Sequence, residues 1–174
     1  MNPCKCGFFP DLGKCRCTPT QIRRYLNRVS GPFLDRIDIG VEVPRQDLGM
    51  MASEKSIDEG SFPQTEQRNS SAVMRARVME ARARQKKRFA DESISYNSQM
   101  TRRQIEEYCR LSGEDAVFLE KVERQQGISA RGHGKILKVA RTLADLDGQA
   151  EIGRTQLAEA IGFRSFEKKY WGSL

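Results

Sequence analysis

Histidine occurs once in the 174 residues, tryptophan once, and aromatic residues make up 7% of the chain. The single His133 sits in a basic stretch between two glycines, with no second histidine and no adjacent Ser or Cys. A catalytic triad cannot be built around it, and it reads as a surface or packing residue. No G-x-x-x-x-G-K-[ST] is present. The nearest text, Gly132-His133-Gly134-Lys135, runs into Ile136 and lacks the first glycine at the right distance, and no G-x-G-x-x-G occurs. The sequence therefore carries neither phosphate cradle. It has no run of about 18 apolar residues, so no helix that spans a bilayer is expected. The N-terminus shows no apolar signal segment, which points to a cytoplasmic protein without a membrane partner. Neither a glycine repeat nor a long heptad run appears, which excludes a collagenous or coiled-coil rod.

What is abundant is charge. Charged residues are 30% of the chain against 38% hydrophobic, with net charge +7 and a pI near 9.3. The charge comes in blocks: +5 over residues 1–36, −4 over 37–70, +6 over 71–90, −3 over 91–126 and +3 over 127–174. Blocks of alternating sign suit an anionic ligand or a neighbouring subunit of opposite sign, and equally describe ordinary solvated helix faces. The most basic block contains Arg75, Arg77, Arg82, Arg84, Lys86, Lys87 and Arg88.

The chain falls into three parts: 1–44, a linker at 45–70 rich in Gly, Ser, Gln and Glu, and 71–174. In the first part a Cys/Gly/Pro-rich loop precedes a helix over 18–29, with Thr18 as N-cap, Pro19 at the first helical position and Gln21 completing a capping box. Gly31-Pro32 stops it. Residues 37–43, Ile-Asp-Ile-Gly-Val-Glu-Val, alternate with the two-residue period of a strand. In the third part helices are expected over 71–90, 101–111, 114–126, 129–148 and from 155. The first of them places Met74, Val78, Ala81 and Phe89 near one side. Five helices with short turns predict a helical bundle over 71–165. The fold class is thus mainly α, a helical bundle preceded by a Cys-rich loop and one short strand.

Four of the five cysteines lie within fourteen positions, as Cys4-x-Cys6 and Cys15-x-Cys17. Two close pairs on one loop can supply the four thiolates of a tetrahedral zinc site, closed and therefore structural. Gly7, Pro10 and Gly13 let the loop fold back. Four free thiols or disulfides formed by oxidation are the alternatives, and they stay open at this point. Cys109, on an apolar helix face, reads as a core residue. Asp35 and Asp38 flank Arg36, which suggests salt bridging rather than acid–base work.

Several runs together resemble the ComM/YifB group of AAA+ proteins, the magnesium-chelatase-like ATPases. They are Asn2-Pro3-Cys4-Lys5-Cys6-Gly7, Cys15-Arg16-Cys17-Thr18, Gln21-Ile22-Arg23-Arg24-Tyr25 and Ser30-Gly31-Pro32-Phe33-Leu34-Asp35-Arg36-Ile37-Asp38. Downstream, Ile128-Ser129-Ala130-Arg131 and the stretch from Ile136 to Leu146 resemble that group's helical lid. The likeness covers about residues 1–165 and is weakest at 45–70. It implies a AAA+ core piece and its lid, working as a ring of copies of one chain. It also implies that Asn2 is the sensor-1 asparagine, that Arg36 is an arginine finger, and that Arg131 is the sensor-2 arginine contacting bound nucleotide. Phosphoryl transfer needs fixed positive charge where negative charge develops, and a guanidinium supplies it permanently. A local bridge for Arg36 and simple exposure for Arg131 are the plainer readings.

The Walker A loop and Walker B acids of that group are missing. The chain is therefore expected to be a C-terminal fragment, inactive alone, whose ATP and Mg2+ belong to a longer protein. The group resembles DNA branch-migration helicases, and the basic helix at 71–90 suits either DNA phosphates or an acidic neighbouring subunit. A chelatase-type chaperone that remodels a partner protein is one alternative. A free-standing zinc-containing nucleic-acid-binding module is the other.

Overall fold

The structure, a computed structural model, describes residues 1–43 and 70–171. The linker expected at 45–70 lies almost wholly outside the described residues. In chain order the helices are α1 (Pro19–Leu26), α2 (Gly31–Leu34), α3 (Ser71–Arg88), α4 (Arg102–Tyr108), α5 (Gly113–Gln126), α6 (Ala130–Leu146), α7 (Arg154–Gly162) and α8 (Ser165–Trp171). A 3-10 turn, Asn97–Gln99, lies between α3 and α4. The mainly helical class expected from periodicity is what the chain adopts.

Local chemistry sets the helix starts. Thr18 accepts from the Gln21 N–H while the Gln21 side chain accepts from the Thr18 N–H, the reciprocal bond expected for α1. Thr101 and Gln104 repeat it at α4, and Ser70, Ser112 and Ser129 cap α3, α5 and α6 through their hydroxyls. α5 ends on Gly127 with φ at 67°, a left-handed conformation that glycine adopts without a Cβ clash.

α6 is the central element. Ile136, Leu137, Ala140 and Ala144 form its inner stripe. They pack with Phe89 just past the end of α3, Leu119 of α5, and Leu157, Ala160 and Ile161 of α7, together with Met100, Cys109 and Ile152. The small side chains at 140 and 144 let the neighbouring helices approach closely. A second, smaller core gathers Cys4, Ile22 and Leu26, with Phe9, Tyr170 and Trp171 against it. The C-terminal helix α8 thus closes over the Cys-rich loop, and the Trp171 indole N–H donates to the Leu26 carbonyl at 3.1 Å.

The strand at 37–43 does not form. Among the described residues no strand runs alongside this segment, and a β ladder needs a partner to accept its backbone bonds. Ile39, Val41 and Val43 are exposed. Among the described residues its backbone reaches the bundle through the Gly40 N–H, which donates to the Phe163 carbonyl at 2.9 Å, and the Ile37 carbonyl, which accepts from Arg164.

Candidate functional site

Besides the apolar contact of α8 with the Cys-rich loop, the two parts of the chain meet along residues 35–42, and there the meeting is largely electrostatic. The Asp35 carboxylate accepts from the Ser129 hydroxyl at 3.1 Å. It also faces Arg131 Nη1 at 3.8 Å and Arg164 Nη2 at 3.7 Å. Arg164 is buried, and its Nη1 donates to the Ile37 carbonyl at 2.9 Å. Further along, Asp38 pairs with Lys135 at 2.7 Å and Glu42 with Lys169 at 2.8 Å. The acids expected to bridge do bridge, but to the bundle and not to Arg36. Lys169 holds the Glu42 carboxyl below the usual carboxylate range, chiefly by donating a hydrogen bond to it.

Arg36 is left pointing away. It is exposed, and Nη1 donates to the Pro32 carbonyl at 3.3 Å. Among the described residues it makes no ion pair. Its two acidic neighbours are both held by the bundle, so the strap is anchored on either side of a guanidinium offered to solvent. Arg131, one residue inside the N-terminus of α6, is 62% exposed and reaches the same Asp35. Asn2 lies elsewhere, on the rim of an open apolar cleft of about 1330 Å³ that Phe9, Phe33, Ile37, Val41 and Tyr170 also line. The structure therefore brings Arg131 and Arg164 to the Asp35 carboxylate, and does not bring Arg36 or Asn2 to it.

The cysteine loop folds as its spacing suggested. The Cys4 and Cys6 sulfurs lie 3.3 Å apart, Cys4 and Cys15 3.8 Å, Cys6 and Cys15 3.6 Å, and all four sulfurs fall within 4.8 Å of one another. A regular tetrahedron with metal–sulfur bonds of about 2.3 Å has an edge of about 3.8 Å, so the donor set matches a soft metal ion. All are free thiols. The Phe8 N–H, with other donors, brings the Cys6 thiol down to about 6. The Cys17 N–H pulls Cys15 the same way, but burial and the neighbouring sulfurs outweigh it and push that thiol up to about 12. Because metal binds thiolate, a cation entering such a cluster displaces its thiol protons.

The basic helix divides in two. Arg88 is drawn inside, bidentate on the fully buried Asp145. Arg84 donates to the Asp145 carbonyl at 3.0 Å. Arg82 stacks over the Tyr96 ring and Arg77 faces Asp147 at 3.8 Å. Arg75, Lys86 and Lys87 remain on the surface. His133 is half exposed and hydrogen-bonds Glu123 at 2.7 Å. Cys109 is a core residue, its thiol pushed up to about 11 by burial.

Family models for the magnesium chelatase ChlI subunit match the chain twice, the C-terminal model over residues 68–164 and the ChlI model over residues 1–51. The chain belongs to the magnesium chelatase ChlI family. Among relatives, competence protein ComM of Haemophilus influenzae is 40% identical over 95% of this chain. YifB of Escherichia coli is 39% identical over 97%, and Rv2897c of Mycobacterium tuberculosis 31% over 94%. The chain spans about 30% of the length of each of these relatives. In magnesium chelatase terms the α3–α7 bundle falls within the C-terminal match, and the Cys loop with the Asp35–Asp38 strap falls within the other. No helix among the described residues is long and apolar enough to cross a membrane.

Lys135 and Arg164, which receive Asp38 and Asp35, are the residues that reading the sequence missed. Their only advance signal was the alternation of sign around Arg36.

Proposed function

We propose that this chain is the core-and-lid portion of a cytoplasmic AAA+ ATPase that assembles as a ring. In this reading residues 1–44 belong to the nucleotide-binding core and 71–174 form the lid. Arg36 is the finger that reaches a neighbour's nucleotide. Arg131 is the lid's sensor on the chain's own nucleotide, and Asn2 is the sensor that orients the attacking water. The observation that carries the proposal is the mounting of Arg36, whose acidic neighbours are pinned to the bundle while the guanidinium is left exposed. Phosphoryl transfer asks for such a group: permanently charged, planar, and held so that no reorganisation is needed when charge develops. The test of the proposal is the Arg36→Ala substitution in the full-length protein. Loss of most turnover with nucleotide binding retained is expected, and unchanged turnover overturns the finger assignment.

The cluster of four sulfurs holds zinc in this proposal, which ties the Cys loop to α1 and α8. Four thiolates leave no open coordination position, so the metal would be structural. Metal analysis of the purified chain is expected to find about one zinc per chain. Trp171, the one tryptophan, packs against this small core, so chelation is expected to change its emission as the metal leaves. A fully folded, metal-free chain with unaltered emission would remove zinc from the account.

For the ring's substrate we propose DNA branch migration, as the family resemblance implies, over chaperone-type remodelling of a protein partner; one relative is named a competence protein. Stimulation of the full-length ATPase by branched DNA decides between them. The reading of a free-standing DNA-binding module has less support, since Arg84 and Arg88 are committed to Asp145 inside the bundle.

A further inference from the structure

The last helix touches both the cysteine loop and the segment that follows Arg36. Tyr170 and Trp171 of α8 pack on the small core around Cys4, Ile22 and Leu26. The Tyr170 ring stands edge-on to Phe9 at 6.3 Å, and the Trp171 indole is bonded to the Leu26 carbonyl. Lys169 of the same helix holds Glu42. At the corner just before it, the Phe163 carbonyl accepts from Gly40, and Arg164 holds Ile37 and Asp35. The stretch 163–171 therefore grips the cysteine loop at one end and residues 35–42 at the other.

The loop end of that grip has a very small core of its own. Cys4, Ile22 and Leu26 are its buried residues. Pieces of chain below about 40 residues rarely fold on apolar packing alone and take a metal or cross-links. The shape of the loop therefore depends on the state of its sulfurs. Cys6, Cys15 and Cys17 are half-buried, and the sulfurs of Cys4, Cys6 and Cys15 lie 3.3–3.8 Å apart. Exposed Lys5 sits between one cysteine pair in sequence and exposed Arg16 between the other. Partial exposure beside cations is the setting in which thiolates react. Cys109 supplies the contrast, 3% exposed inside the bundle.

We propose that Cys4, Cys6, Cys15 and Cys17 form an oxidation site for a hydroperoxide, and that their oxidation loosens residues 37–43 through α8. One thiolate attacks the peroxide, the O–O bond breaks, hydroxide leaves and the sulfur becomes a sulfenic acid. A neighbouring thiolate then attacks that sulfur, and a second hydroxide leaves as the disulfide forms. Two thiolates give up two electrons in all, and one peroxide takes them. Two thiolates then remain, too few for a closed tetrahedral site, so bound zinc departs as the hydrated ion. The four-way tie across the loop is gone, and the surface beneath Tyr170 and Trp171 shifts. The hold of Phe163, Arg164 and Lys169 on the segment behind Arg36 weakens with it. A thiol reductant and zinc reverse the change. The inference rests on the zinc reading above and adds a response to that site.

The test uses the chain as purified, with hydrogen peroxide as the oxidant. A coloured chelator follows zinc release, differential alkylation with mass analysis follows each thiol, and amide hydrogen exchange follows the Gly40 N–H. The four loop thiols are expected to oxidise before Cys109, with zinc appearing in step with them. Exchange at Gly40 is expected to quicken by about tenfold or more, while the amides of the α6 stripe at 136–144 keep their rates. Dithiothreitol with zinc is expected to restore the starting rates. Trp171→Ala is expected to quicken Gly40 exchange before any oxidant is added, because it cuts the loop from α8. Loop thiols that react no faster than Cys109 overturn the proposal, as does loop oxidation that leaves Gly40 exchange unmoved or that reductant and zinc do not reverse. A Trp171→Ala chain whose Gly40 exchange matches the wild type overturns the route through α8. If the untreated chain holds no metal, yet its loop thiols oxidise and Gly40 exchange quickens, the zinc reading falls and the oxidation site stands. If zinc is present and the loop resists peroxide, the oxidation site falls and the zinc reading stands.

Discussion

Replacing Asp145 by alanine is expected to destabilise the chain by about 3–5 kcal/mol, because it breaks a buried ion pair from one side only. Asp145 is fully buried on α6, and three side chains reach its carboxylate. Arg88 reaches it bidentately, Asn97 Nδ2 donates at 2.9 Å, and Arg141 Nη2 lies at 3.3 Å. Arg141 is itself only 2% exposed. Its other bonds go to the Ala150 and Gln149 carbonyls at 2.7 and 2.8 Å, and its Nε has no partner. Without the carboxylate two guanidinium groups would face each other across a dry core. Against a typical total stability of about 5–15 kcal/mol, that loss is enough to unfold a large fraction of molecules at moderate temperature. Denaturant titration of the variant measures it, and a loss below about 1 kcal/mol would mean that water or a rotated Asn97 takes over the carboxylate's role.

The same group sets an acid limit. Burial pushes the Asp145 carboxyl upward, but the Arg88 and Asn97 hydrogen bonds and the two guanidinium charges win and hold it below the usual range. A carboxyl lowered by folding contributes stability that is fully present above its unfolded value, about 3.9, and is lost as pH falls through the folded value. The wild-type thermal midpoint is therefore expected to slope downward in acid below about pH 4. The Asp145→Ala variant, lower at every pH, is expected to lack that part of the slope.

This charged centre also marks where reading the sequence runs out. The inner stripe of α6 and the capping boxes at Thr18 and Thr101 are local, set by spacings of three and four residues, and the chain declares them plainly. The bond between Arg88 and Asp145 spans 57 positions, and both residues stand among helix faces that otherwise read as solvated. The Asp35 contacts span 94 positions to Ser129, and Arg164 reaches Ile37 across 127. No periodicity announces such pairs. Residues 37–43 fail in the opposite way. Their alternation is a strand pattern, but a strand is a property of two segments, and among the described residues the second is not there. Met74 and Val78 likewise belong to a true helical stripe whose covering surface stops a turn short of them.

Removing the Arg36 guanidinium in the full-length protein is expected to lower turnover by about 10³–10⁵-fold, the range in which arginine fingers act. Nucleotide affinity is expected to hold, because the finger reaches a neighbour's γ-phosphate and stabilises charge that appears only as the bond breaks. Arg36→Lys is expected to recover little, since a point charge on a flexible stem lacks the planar fork. The mounting gives a second, weaker effect that separates aim from charge. Asp35→Ala keeps Arg36 but unties Ser129 and Arg131 from the strap, while the Arg164–Ile37 carbonyl bond, Asp38–Lys135 and Glu42–Lys169 still hold it. A misplacement of about 1 Å costs about 10²-fold in a positioned reaction, so turnover is expected to fall by about that much. If Asp35→Ala turns over like wild type while Arg36→Ala does not, the finger is real and the Asp35 bridge does not aim it. If both are silent, Arg36 faces no phosphate, and the exposed guanidinium is an ordinary surface charge.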